Sequence, residues 1–240
     1  MKRLVRRTKI FFLSENSLSK ERAERRGRIE FLTGSEPAKD PYLRAKATDP
    51  SRRSRMTYIL KPRFTVRPLT PAELSGPLLD QALWVFSGAL GFPRRSGRVI
   101  SFASTLRRHA LYGGFRAFGA ISLRGRLVGF SYGYSSQPGL WWREQISEPL
   151  STQQREYWLG DAFELAELHV HPSAQGKHLG GELHDSLLRD VRHRTALLSV
   201  MHRSARARQL YTRRGWQTLV DEFRFVTEPQ TPFSLLGLTL

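Results

Sequence analysis

The residues with chemical promise in this 240-residue chain cluster in its last third. "QGKHLGG", Gln175 to Gly181, stands between an apolar run, "AFELAELHV", and an amphipathic one, "LGGELHDSLLRDVRHR". The first turn of a helix offers unpaired N–H groups and the positive end of the helix dipole. Glycines beside that turn let a pyrophosphate approach the backbone. The spacing suits an anion cradle built from the amides of Gly176 to Gly181, with Lys177 adding positive charge; plain turn chemistry explains the same glycines equally well. The apolar run itself carries Glu164 and Glu167. Two carboxylates in one apolar strand are costly unless they face a cleft. In a regular strand an offset of three turns them to opposite faces. His169 is a third proton-handling candidate, because imidazole titrates near neutrality. His169 and His171 make no metal pair, since no further carboxylate or thiolate stands at ligand spacing. His171 and His184 read as surface histidines.

These residues need elements to hold them. "FTVRPLT" alternates and ends at proline, which predicts a first strand over Phe64–Arg67. Thr70, Pro71 and Glu73 occupy the cap, first and third positions of a helix start. Gly76-Pro77 interrupts that helix, which restarts at Pro77 and ends near Gly88. "SFASTLRRHALY" places Phe102, Leu106 and Ala110 on one helical face. "GFRAFGAISLRG" and "RLVGFSYGYSS" read as two strands turning at Arg124-Gly125. The excursion "SQPGLWWREQISEPLSTQQREYWLGD" is long enough to be functional or to carry helices of its own. Its Trp141, Trp142, Tyr157 and Trp158 either line an acceptor pocket, together with the first two helices, or pin the excursion as core. Then follow the strand "AFELAELHV", a helix, the buried strand "TALLSVM", a short helix ended by Gly215, and strand character in "QTLVDEFRFVT". The apolar "PFSLLGLTL" finds no place in this order, and there is no internal repeat.

Composition bounds the rest. The formal net charge is +18, which favours anionic partners. Residues 1–55 hold 16 Lys+Arg against 7 Asp+Glu, or +9; the other 185 residues hold 23 against 14, again +9. That first segment is expected to be a largely disordered basic extension or a mis-assigned start, with a nucleic-acid-binding arm as the functional alternative. No cysteine is present, so a disulfide, a thiolate metal site and a cysteine nucleophile are excluded. No apolar run reaches the roughly 20 residues of a membrane span. The basic start has too short an apolar core for a secretory signal. A cytoplasmic protein with no membrane partner is expected.

Taken together, "ELHVHPSAQGKHLGGELHDSLL" and "SVMHRSARARQLYTRRGW" resemble the GNAT family of acetyl-CoA-dependent N-acetyltransferases. Val170-His171-Pro172 matches the step that ends the family's fourth strand, Gln175 to Gly180 matches Q/R-x-x-G-x-G/A, and "LYTRRGW" matches a later Leu-Tyr segment. The likeness covers about 64–226. It implies an α/β (α+β) fold with a mixed, mostly antiparallel sheet splayed between its fourth and fifth strands and about four flanking helices. The domain is expected over 56–228, with 229–240 as a tail. It also implies acetyl-CoA as acyl donor, an amine acceptor that is a small molecule or a protein amino group, no metal, and a monomer or homodimer.

Carried over residue by residue, the amides of Leu168, His169 and Val170 would pair with the pantetheine arm. Those of Gln175, Gly176, Lys177, His178, Leu179, Gly180 and Gly181 would hold the pyrophosphate. Tyr211 matches the family's acid, and Glu164 or Glu167 its base, with a slight preference for Glu164. A bulge, common in this strand of the family, would bring both carboxylates to one face. Two positions depart from the pattern. His178 stands where the first motif glycine belongs, which should forfeit access to positive φ. Ser204 stands where a cofactor-contacting Asn is frequent, and it reaches less far. Both departures favour the alternative of a catalytically weak module that binds acyl-CoA as a ligand or interaction platform.

Overall fold

The computed structural model describes residues 63–240. The expected basic extension, 1–55, and its nucleic-acid alternative lie outside the described residues. The described chain runs β1 (Phe64–Leu69), α1 (Pro71–Ser75), α2 (Leu79–Leu90), α3 (Gly97–His109), β2 (Arg116–Ser122), β3 (Leu127–Ser135), α4 (Trp141–Ser147), α5 (Thr152–Leu159), β4 (Ala162–Val170), α6 (Leu179–Leu188), β5 (Thr195–Met201), α7 (Ala205–Thr212), β6 (Gln217–Phe223) and β7 (Phe233–Thr239). A short 3-10 turn, Pro172–Ala174, joins β4 to the glycine-rich segment.

Local chemistry accounts for the element ends. Thr70 Oγ1 accepts the Glu73 N–H, and the Glu73 carboxylate accepts the Thr70 N–H, so α1 opens on a reciprocal capping box. Gly76 ends it, and α2 restarts at Leu79 and runs to Leu90, closing on left-handed Gly91 rather than at Gly88. Gly88 instead gives room to the His171 ring, which stacks on Trp84 at 3.5 Å. The β2–β3 hairpin turns through Gly125 at φ +73. The excursion carries two helices of its own, α4 and α5, which with the split first helix brings the described α-helices to seven. No helix among the described residues is long and apolar enough to cross a membrane.

The seven strands form one sheet in the order β1-β2-β3-β4-β5-β7-β6. Every pairing is antiparallel except β4 with β5. Residues Phe233–Thr239, unplaced from the sequence, form β7 and insert between β5 and β6. Apolar side chains cover both faces. Helices α2 and α3 bury Val85, Phe86, Phe102 and Leu106 against Phe130, Tyr132 and Tyr134 of β3. Leu187 of α6 and Tyr211 of α7 pack with Phe163 and Leu165 of β4 and with β5. Trp142 and Trp158 pack with Leu197, Met201, Phe233 and Leu235, so the aromatic excursion is core that fastens α4 and α5 to β5 and β7. Gly237 makes that possible, since a Cβ there would come within 2.6 Å of the Trp158 ring.

One irregularity matters for function. Strands β4 and β5 pair only over Ala162–Glu164 and Thr195–Leu197. Beyond that point β4 continues to Val170 and β5 to Met201 without pairing to each other. The sheet is therefore split along its middle.

Candidate active site

The split exposes backbone on the β5 side of β4. His171 donates its N–H to Val128 O at 2.8 Å, toward β3. Backbone groups alternate sides along a strand, so His169 also faces β3 while Leu168 and Val170 face the gap. The Val170 carbonyl confirms the direction, because Gln175 Nε2 donates to it at 3.0 Å from the far side. Of the three amides expected there, those of Leu168 and Val170 face the gap, and that of His169 is turned toward β3.

A cavity of about 510 Å³ opens there. Leu168 and Val170 form one wall, the Gln175–Gly181 turn another, and α7 with Ser204 a third. Every residue expected at the turn lines it except Lys177, whose Nζ donates back to Ser173 O at 3.0 Å and lies over the Phe64 ring. His169 is also absent from the lining, its side chain being packed among Phe86, Phe102 and Phe130. His178 does not forfeit positive φ: it sits in the left-handed region at φ 62, as the residue before α6. Histidine is among the few side chains that tolerate this conformation. Its ring is exposed, so the strain serves the path of the backbone.

The basic wall was missed from the sequence. Arg206, Arg213 and Arg214 line the cavity from α7 and the residues just after it. Their spacing, with Ala207 and Leu210, is that of one helical face, and that periodicity in "SARARQLYTRRGW" was the available signal. Arg214 is held in place by Asp185, at 2.6 Å from Nε and 2.8 Å from Nη2. Asp185 also meets His184 Nδ1 at 2.8 Å, and Trp216 Nε1 donates to His184 Nε2 at 2.9 Å. Indole nitrogen only donates, so Nε2 accepts and the proton sits on Nδ1. His184 is thus no surface residue. It is buried, and burial lowers its pKa, which keeps this link neutral.

The carboxylates lie on the other side of β4. The β3–β4 register slips between Tyr132 and Gly133, so Ala166 is an extra residue on β4. That bulge cancels the odd offset. Glu164 accepts from Tyr134 at 2.6 Å, and Glu167 is hydrogen-bonded to His169 Nε2, both on the face covered by α2 and α3. Glu164 and Glu167 are each 1% exposed. Desolvation pushes Glu164 up to about 8, against the lowering influence of the Tyr134 hydroxyl. Burial also raises Glu167, partly offset by its bond to His169. Glu164 Oε2 and His169 Nδ1 have no hydrogen-bond partner. Tyr132 meets His109 Nδ1 at 3.2 Å, and burial depresses His109 to about 3, so that imidazole is neutral.

Tyr211 is buried on α7, against His184 and Trp216. Burial raises its pKa above the usual phenol value, and the second cause is the charge of Glu167. Tyr211 and Glu167 therefore act on each other across the split strand.

The acetyltransferase (GNAT) family model matches residues 102–216. Among curated proteins, the GCN5-like protein acetyltransferase Rv2170 of Mycobacterium tuberculosis is 29% identical, over 72% of this chain and 96% of that protein. A GNAT-family protein from Desulfovibrio desulfuricans, solved by crystallography, superimposes with a TM-score of 0.51 at 15% identity, covering 73% of this chain and 98% of its own. The protein yncA from Salmonella typhimurium, solved with its cofactor acetyl-CoA, gives 0.49 at 16% identity, covering 75% and 95%. The matched residues include the split strand, the glycine-rich turn and both buried carboxylates. Residues 102–216 thus match the GNAT acetyltransferase family, and the chain is an acyltransferase.

Proposed function

We propose that this chain moves an acetyl group from acetyl-CoA to a primary amine by direct attack within a ternary complex. The observation that carries the reading is the cavity at the split. It offers two outward amides from β4, a glycine-rich helix start and three arginines in one lining, which suits a donor with an extended amide arm and several phosphates. When bound, acetyl-CoA supplies an acetyl group activated as a thioester.

The chain's own residues handle two protons. Glu167 takes the proton that the attacking amine must lose, directly or through water. Its bond to the His169 imidazole supports it over Glu164, which the Tyr134 hydroxyl engages. Tyr211, kept protonated by burial, gives a proton to the departing sulfur. His169 holds the Glu167 carboxylate in place. Ser204 lines the cavity wall. The relative named a protein acetyltransferase supports a protein amino group as acceptor.

The test is release of free thiol from acetyl-CoA in the presence of small amines and lysine-containing proteins. Turnover that is lost in Tyr211→Phe and Glu167→Gln, with acetyl-CoA binding retained, supports the proposal. A second reading, a catalytically weak acyl-CoA-binding module, draws support from how completely both carboxylates are sealed from solvent. Tight acetyl-CoA binding without turnover on any acceptor between pH 6 and 10 would decide for it.

A further inference from the structure

A second group of reactive side chains lies at the opposite end of β4 from the cavity. Ser135 ends β3, Asp161 precedes β4 and His193 precedes β5. Ser135 Oγ is 2.9 Å from His193 Nε2, and His193 Nδ1 is 2.6 Å from Asp161 Oδ1. The second Asp161 oxygen accepts the Arg194 N–H at 3.0 Å, which fixes the carboxylate. Bonds to His193 and to this amide hold the Asp161 pKa low, so it stays ionised. An ionised Asp161 keeps the imidazole proton on Nδ1 and leaves Nε2 to accept from the serine.

Glycine backbone flanks the serine closely. Gly114, at φ +71, faces the serine: a Cβ there would fall 2.2 Å from Ser135 Oγ. Gly113 and Gly114 are exposed, and Ser135 and His193 are partly so. Gln137 brings its Nε2 to within 3.3 Å of a Cβ placed on Gly113, so a neutral N–H donor borders the same pair of glycines. Such a donor is what a developing oxyanion needs.

We infer that Ser135, His193 and Asp161 form a second site that cleaves small, unhindered carboxylic esters, separate from acetyl transfer. Ser135 Oγ attacks the ester carbon and gives its proton to His193 Nε2. The Oγ–C bond forms and the bond to the leaving oxygen breaks, that oxygen keeping the electron pair and taking the Nε2 proton. Water then attacks the acyl-serine with His193 as base, releasing the carboxylic acid and restoring the Ser135 hydroxyl. Gly114 limits what sits beside the serine, so short acyl chains are the expected substrates.

The first test uses the unaltered full chain with a fluorophosphonate probe and maps the adduct by mass spectrometry. The adduct is expected on Ser135, at a rate that falls sharply in His193→Gln. The second follows p-nitrophenyl acetate hydrolysis, expected to drop by about a hundredfold or more in Ser135→Ala and His193→Gln. Ser135→Ala should keep the acetyl-CoA-induced rise in melting temperature. Absence of a Ser135 adduct under saturating probe, or an unchanged ester rate in Ser135→Ala, overturns the inference. The probe result does not depend on any variant folding.

Discussion

At neutral pH the buried Glu164 keeps a proton that the unfolded chain would release. Its folded pKa of about 8 stands above the ordinary 4.5, so between those values the folded state binds the extra proton. Stability attached to this group is complete below the lower value and is lost as pH rises through the window. At pH 7 the cost relative to a permanently neutral side chain is about 3 kcal/mol. Glu164→Gln should therefore be more stable than the parent at pH 8, with the gain vanishing near pH 4, as read by urea unfolding across that range. Glu167→Gln should lower kcat by roughly 10²- to 10⁴-fold and leave acetyl-CoA affinity nearly intact, in steady-state kinetics and calorimetry. A smaller loss than that of Glu164→Gln would move the base to Glu164. His178 carries a backbone cost of its own. Replacing it by glycine should stabilise the fold by up to about 1 kcal/mol and leave acetyl-CoA affinity within about twofold. A large loss of affinity would show that the exposed ring takes part in binding.

Among the elements, β3 and β4 decide the site jointly. Gly133 lies beside the bulge, where a Cβ would approach Glu164 O at 2.3 Å and the Phe163 ring at 2.5 Å. Gly133→Ala must push the strands apart, and overpacking of this kind costs about 1–3 kcal/mol. A fall of several degrees in melting temperature is expected in calorimetry, with lower activity as the bulge that sets the face of Glu167 shifts. Outside the aromatic excursion, the sequence made the order of elements readable through to β6, because alternation, caps and glycine turns are local signals. The cavity turn was readable for the same reason. The shared face of Glu164 and Glu167 was open, because one extra residue in β4 shows only against its partner strand. The left-handed His178 was misjudged, since a backbone that six other positive-φ positions reach with glycine is here reached with a tolerated side chain. His184 was misjudged because its burial comes from Trp216, distant in sequence.

At the scale of the whole molecule, charge and connectivity have separate consequences. A chain of net charge +18 with three arginines in one cavity should bind a phosphate-rich donor in a salt-dependent way. Acetyl-CoA affinity is expected to fall severalfold between about 0.05 and 0.3 M salt, and Arg213→Glu should flatten that dependence in titrations at both salts. Connectivity sets an order of assembly. Strand β5 has β4 beside it for three residues only, and β7 occupies its other edge along its full length. Yet β7 follows every strand it joins in chain order. During synthesis β5 must wait with most of its backbone unpaired until β7 emerges, since domains assemble as the chain becomes available. The open edge that the finished enzyme needs on β4 is thus preceded by a wider one on β5. That interval is when a ribosome-bound chain would be open to strand-pairing with other chains and would depend most on chaperones.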